Sequence, residues 1–261
     1  MQKETEYTSF EAMVVMAARE IKDGELVLAG IGLPVLATNV AQKTHAAHVG
    51  LLFEAGGFLK GGCTILPLTV DDFGTYVFAD ATQNMCCIMG ALGRKEVDVT
   101  FIGGAQVDMY GNVNSSGFGD FSEPNTIKLM PGSGGANPMA SLGNRTLIIM
   151  PQEKRRFVEK VTYITSPGWL WGPGAREAVG LPADVGPDTI ISNMGIFKFD
   201  ERTKEAYLEA LLPGITAEDV KANTGWSLKT SPNVREVEPP RKEELKALRE
   251  MDKARLYYPQ E

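Results

Sequence analysis

The sequence predicts an α/β fold: an open, largely parallel sheet with flanking helices. Three observations point there. The short apolar runs ELVLAG (25–30) and HVGLLF (48–53) stand on either side of a helix-length segment, the strand–helix–strand order that parallel pairing needs. Core-type runs recur at VDVTFIGG (97–104), TLIIM (146–150) and VTYIT (161–165), all short enough for buried strands. A chain of 261 residues, 43% hydrophobic and 23% charged, is long enough for one large domain with a real core.

Taken in order, the first element is an amphipathic helix. Thr8 and Glu11 stand at capping-box spacing, and Phe10, Met13, Val14, Ala17 and Ile21 recur at helical intervals. Gly24 is placed to end it as a left-handed C-terminal cap. The strand ELVLAG follows, bounded by Gly30 and Gly32, and Pro34 opens a second helix through about Lys43. Beyond the middle strands, TIISNMGIFKFD (189–200) alternates like a β-ribbon, and GITAEDV (214–220) reads as a short helix capped by Thr216. The tail PPRKEELKALREMDKARL (239–256) is a charged amphipathic helix, a surface or subunit-contact element. With no repeat or linker, residues 1–261 read as a single α/β domain, with a helical C-terminal appendage from about 228 onward.

Composition excludes several classes of function. A net charge of −7 opposes nucleic-acid and anionic-membrane binding, which need a positive field. An anionic cofactor would have to be held by a local basic or backbone-amide site. No stretch approaches the ~20 apolar residues of a membrane span, and MQKETEY lacks the pattern of a secretory signal. Cys63, Cys86 and Cys87 are odd in number and show no C-x-x-C spacing, which fits a reducing cytoplasm and structural roles.

Candidate chemistry sits at a few places. Glu54 ends an apolar strand, where a charge is costly to desolvate and where open α/β sheets bind ligands. Its own neighbourhood leaves a helix cap or a loop ion pair equally open. In FIGGAQVDMYGNVNSSGFGD (101–120), Gly103 and Gly104 end a strand and allow close backbone approach, and Tyr110-Gly111-Asn112 reads as a tight turn. PGSGGAN (131–137) exposes successive N–H groups, a nest for a phosphate or oxyanion or else a plain surface loop. Lys154, Arg155 and Arg156 form either a solvated face or an anion contact. His45 and His48 lack a third ligand at metal-site spacing, so no metal is expected.

Taken together, GGAQVDMYGNVNS, GSGGAN, EKRRF, YITSPGW and GLPADVGP resemble the second (β) subunit of family I CoA-transferases, of the glutaconate CoA-transferase type. They occur in that family's order and spacing, and the likeness runs from the first helix to about residue 227. It implies an open α/β sheet in each of two similar subunits, an α-type partner subunit in a heterodimer that pairs further, and coenzyme A, as acyl-CoA, as substrate. Glu54 matches the family's catalytic glutamate, which forms an acyl-glutamyl anhydride and then a glutamyl-CoA thioester. Gly132, Gly134, Gly135 and Ala136 would then wall the substrate pocket and offer amides to an oxyanion, with Gly103 and Gly104 beside them.

Two departures limit the resemblance. Glu54 is followed by Ala55-Gly56-Gly57 where the family usually has Ser-Gly or Asn-Gly. The next stretch, residues 58–85, which helps shape the acyl pocket, also differs from the glutaconate enzyme. Other members of the superfamily decarboxylate a CoA thioester or open a CoA-linked ring hydrolytically, and these tend to change the nucleophile position. Retention of Glu54 favours CoA transfer to a small (di)carboxylate.

Overall fold

The computed structural model describes residues 7–257, so all of the MQKETEY reading except Tyr7 lies outside the described residues. The chain divides into two compact units, one formed by the residues up to Phe101 together with those from Glu238 onward, the other by Ile102–Val237.

In the first unit, helix α1 (Ser9–Arg19) opens with the expected capping box: Thr8 Oγ1 accepts from the Glu11 amide, and the Glu11 carboxylate accepts from the Thr8 amide. The helix stops earlier than expected. Its C-cap is Glu20, and Gly24 instead takes its positive φ in the turn into β1 (Leu26–Ala29). Helix α2 (Leu33–Thr44), with proline in its first turn, leads to β2 (Gly50–Leu52), and β3 (Gly57–Leu59), β4 (Ala81–Thr82), α3 (Met85–Gly93) and β5 (Val99–Ile102) follow. The strand order is β5-β1-β2-β3-β4. β1 pairs in parallel with both β2 and β5, while β3 and β4 are added antiparallel at the edge. This parallel core makes the C-terminal ends of β1, β2 and β5 share one edge.

The C-terminal helix (Lys242–Met251) packs its apolar side, Leu245 and Leu248, within this unit, on α1 and α2. Two ion pairs tie it down: Arg19 to Glu244 at 2.7 Å and Arg249 to Glu11 at 2.6 Å. Burial raises the Glu11 carboxyl, but Arg249 and the Thr8 amide outweigh it and hold the group below the usual range.

The second unit contains β6 (Gln106–Val107), β7 (Val113–Asn114), β8 (Gly117–Phe118), β9 (Lys128–Leu129), α4 (Ala136–Leu142), β10 (Arg145–Ile149) and α5 (Ala175–Ala178). It closes with β11 (Pro187–Ile191), β12 (Gly195–Phe199), β13 (Ala206–Leu211), α6 (Ala217–Ala222) and β14 (Lys229–Glu236). Its sheet runs β10-β11-β12-β13-β14: the β10–β11 and β13–β14 pairs are parallel, and β11–β12–β13 is the antiparallel ribbon expected from residues 189–200. Thr216 caps α6 as expected. Across both units the fold class is the expected open α/β sheet with flanking helices. Among the described residues no helix is long and apolar enough to cross a membrane.

The run VTYIT is not a strand. Tyr163 and Ile164 are exposed, and the segment contributes only an isolated bridge, Ser166 to Val113. Its backbone is committed instead to the loop 106–117. Asn112 fills every valence of its amide: Oδ1 accepts from the Gly168 and Leu170 amides, and Nδ2 donates to Asp108 and to the Leu170 carbonyl. Asn114 likewise donates to Gln106 and to the Gly117 carbonyl. The motif GGAQVDMYGNVNS is thus a buried polar clamp. Asp108 receives the Tyr110 and Asn112 amides and the Asn112 side chain, yet burial dominates and pushes its carboxyl up to about 6.

Arg176 is 1% exposed and has no carboxylate facing its guanidinium at ion-pair distance among the described residues; it donates to the carbonyls of Pro182 (2.9 Å), Gly168 (2.9 Å) and Ser141 (2.8 Å). Replacing it orphans these buried acceptors, so Arg176→Met is expected to lose about 3–5 kcal/mol of unfolding free energy in urea titrations; a loss below ~1 kcal/mol would mean that the carbonyls find other donors. A second expectation concerns pH. The folded-state value of about 6 for Asp108 lies above the unfolded value of about 3.9, so the fold holds this proton more tightly. Its contribution is complete below about pH 4 and is lost as pH rises through about 6, on the order of 3 kcal/mol in all. Unfolding free energies at pH 4.5 and 7 should therefore differ less, in that sense, for Asp108→Asn than for the parent; equal differences would contradict the assignment.

Candidate active site

Glu54 stands two residues beyond β2, at the C-terminal edge of the parallel strands. Phe53 is fully buried and anchors the strand end, and the chain turns back at once into β3. The turn is closed by the Gly56 amide donating to the Phe53 carbonyl at 2.9 Å, with Glu54 and Ala55 at its corners. The Phe53 amide donates to the Gly57 carbonyl at 2.9 Å and fixes the base. Glu54 is half-buried, and among the described residues its carboxylate has no hydrogen bond or ion pair. It is neither the helix cap nor the loop ion pair that its local sequence left open.

The geometry of this turn requires its glycines. Gly56 has φ 122°, and a Cβ there would run into the Gln83 carbonyl; a Cβ at Gly57 would run into the Thr75 carbonyl. Residues 72–83 therefore lie directly against the turn, backbone on backbone. The Gln83 amide donates to the Gly56 carbonyl at 2.9 Å, and the Tyr76 hydroxyl donates to the Ala55 carbonyl at 3.0 Å. Nothing in the sequence pointed to Tyr76, which lies in the segment that departs from the family pattern.

The remaining candidate residues belong to the second unit. Gly103 follows β5 and is exposed; a side chain at Gly104 would overlap Val113, so its glycine serves the approach of β7. Gly132 and Gly134 have φ 93° and 48°. The Gly132 amide donates to the Ser115 carbonyl (3.0 Å) and the Ala136 amide to the Ser133 carbonyl (2.9 Å). That leaves the amides of Ser133, Gly134 and Gly135 without acceptors among the described residues. Asn137 pins the far side of the turn by donating to the Thr165 carbonyl at 2.8 Å. The pattern PGSGGAN thus yields three adjacent open amides, shifted by one residue from the set Gly132, Gly134, Gly135 and Ala136.

The basic run is a surface feature. Arg155 and Arg156 both pair with Glu153 at 2.5 and 3.1 Å, while Phe157 enters the core against Phe197 and Trp226. His45 accepts or donates at the Ile21 carbonyl and His48 pairs with Asp23, so the two imidazoles serve separate contacts. Among the described residues no group of three His, Cys, Asp or Glu is placed to hold a metal ion. Cys63 is buried, with its thiol pushed up to about 12 by desolvation, and is inert at neutral pH.

Comparison with known proteins agrees with this architecture. Residues 10–223 match the model of the Coenzyme A transferase family. The chain is 41% identical to the second of the two subunits of glutaconate CoA-transferase from Acidaminococcus fermentans, covering 94% of this chain and 92% of that protein. It is 37% identical to the corresponding subunit of 3-oxoadipate CoA-transferase from Pseudomonas knackmussii, covering 94% of each. It superposes on the crystal structure of glutaconate coenzyme A-transferase from Acidaminococcus fermentans with a TM-score of 0.91, at 37% identity over 98% of this chain and 99% of that one. With the family's pattern running from α1 through α6, the chain belongs to the coenzyme A transferases.

Proposed function

We propose that this chain is the glutamate-bearing subunit of an enzyme that moves CoA from an acyl-CoA to a small (di)carboxylate, with Glu54 as nucleophile. The observation that carries the reading is the Glu54 carboxylate itself, half-buried, without a partner and held on a short turn at the strand edge. A carboxylate is a weak nucleophile in water and a better one when partly desolvated beside oxyanion donors. One Glu54 oxygen adds to the thioester carbonyl carbon, the C–S bond breaks, and CoA leaves as thiolate from an acyl-glutamyl anhydride. The thiolate then attacks the Glu54 γ-carbonyl, releasing the acyl group as a free carboxylate and leaving glutamyl-CoA thioester. The acceptor carboxylate reverses these steps, restoring Glu54. Excluding water preserves the thioester between the two halves. The open amides of Gly134 and Gly135, with that of Ser133, are assigned to the thioester region of acyl-CoA. Gly132 and Ala136 shape their turn, and Gly103 and Gly104 keep that wall thin. No metal enters the chemistry.

The partner is an α-type CoA-transferase subunit in a heterodimer that pairs further. Two observations support this. The names of the relatives mark each as the second of two subunits. Ile65, Leu68, Phe73, Val77, Phe78 and Met85 are all exposed within one stretch of about twenty residues, more apolar surface than a lone monomer usually leaves in one place. Free Cys86 and Cys87 at the surface suit the reducing cytoplasm, where we place the enzyme.

Borohydride added after incubation with acyl-CoA, but not with free CoA, should inactivate the complex and leave the Glu54 peptide with an alcohol in place of its carboxyl. Glu54→Ala should lower turnover by about 10^3-fold or more, and full activity in that variant would sink the proposal. Turnover without any acceptor carboxylate would instead indicate a hydrolase or decarboxylase that uses Glu54 as base or orienting group. For assembly, native mass measurement of the co-expressed complex should find both subunits. Phe73 is 79% exposed, so Phe73→Asp should weaken the complex by about 2 kcal/mol or more while barely moving the melting temperature of the isolated chain. A stable, active homomer would contradict the partner assignment.

A further inference from the structure

The segment between β3 and α3 is the part of the chain that the family pattern accounts for least, and in the structure it is a strap across the turn that carries Glu54. Its course is built by local capping. Asp72 accepts from the Leu68 and Gly74 amides at 3.0 and 2.9 Å, and the Thr75 hydroxyl donates to the Asp72 carbonyl at 2.7 Å. A single 3-10 turn, Phe73–Thr75, follows and delivers Tyr76. The strap then returns along β3: the Asp80 amide donates to the Phe58 carbonyl, and the Asp80 carboxylate accepts the Lys60 amide. It ends at Gln83, whose carbonyl crowds Gly56 and whose amide donates to the Gly56 carbonyl.

The corner of the turn, Ala55, has one polar tie to the strap, the Tyr76 hydroxyl. From these contacts we infer that Tyr76 is a positioning residue for the nucleophile, and that residues 72–83 form a brace that fixes the direction of the Glu54 carboxylate. The inference rests on the reading of Glu54 as nucleophile. The physical basis is simple. Ala55 is bonded directly to Glu54, and a peptide plane with its carbonyl held is a plane that does not rotate. A reactive oxygen gains from such orientation because misplacement by about 1 Å costs on the order of 100-fold in rate. Ground-state binding of acyl-CoA does not draw on this contact, so its loss should appear in kcat and leave KM nearly alone.

The test uses Tyr76→Phe in the co-expressed complex, with Asp72→Ala as a second variant that loosens the same strap while keeping the phenol. The expected result is a kcat about tenfold lower in Tyr76→Phe, with KM for acyl-CoA within about twofold, and an equal slowing of borohydride-trappable thioester formation in a single turnover. Asp72→Ala should give the same split, smaller in size. The melting temperature of the Tyr76→Phe complex should stay near the parent's, which separates positioning from general destabilisation. Parental kcat in both variants overturns the inference, as does a loss that falls wholly on KM. Glu54→Ala, run in parallel, tells the two readings apart. If Glu54→Ala is inactive and Tyr76→Phe has parental kcat, only the role of Tyr76 fails; if Glu54→Ala is active, both readings fall.

Discussion

The first unit depends on one close approach, backbone against backbone, where residues 75 and 83 meet Gly57 and Gly56. A side chain at either glycine would push the strap away, and the strap makes the hydrogen bonds that hold the turn. The parallel pairing of β1 with β2 sets where the strand ends, and the buried Phe53 sets its depth. Between them they leave a half-buried carboxylate at the strand edge with its backbone held on both sides. That combination is costly for stability and useful for chemistry, since a desolvated carboxylate without a partner gains nothing for the fold.

The second unit solves a different problem, that of holding long loops still without regular structure. It does so with amide side chains whose valences are fully used, Asn112 and Asn114 above all, and with one buried guanidinium that collects carbonyls. Leu170 shows how firmly this works, because it adopts φ 58°, a strained value for a branched residue, with both its amide and its carbonyl bonded to Asn112. Such a network is rigid when complete and costly when any member is lost. It also supplies the carbonyls of Ser115 and Thr165, which anchor the glycine turn at residues 132–137.

Much of this was legible in the sequence wherever a local rule governs. The Thr8–Glu11 and Thr216–Asp219 caps, proline at the start of α2, and the alternation of residues 189–200 all act over a few residues, and each formed as the pattern implies. VTYIT misled because its β-branched residues meet a local criterion while its backbone is claimed by Asn114 and its neighbours, about fifty residues earlier in the chain. Gly24 misled more gently: the helix was already over, and the glycine serves the next turn. For the site, Glu54 and the glycine turn stood out as residue types in unusual places. Tyr76 did not, since a tyrosine in a loop gives no sign that its hydroxyl will meet a carbonyl twenty-one residues back. Which amides of residues 132–136 stay open was likewise decided by distant carbonyls.

The C-terminal helix has a consequence for how the chain is made. It completes the first unit, yet it is synthesised last, after the whole of the second unit has left the ribosome. Until then the faces of α1 and α2 that receive Leu245 and Leu248 stay open to water, and Glu11 waits for Arg249. The middle of the chain can therefore finish folding before its beginning does, with the closing piece arriving at release. A chain cut short near residue 240 would carry an unshielded apolar surface and an unpaired buried carboxylate, a marked substrate for quality control rather than a slightly shortened version of the same protein.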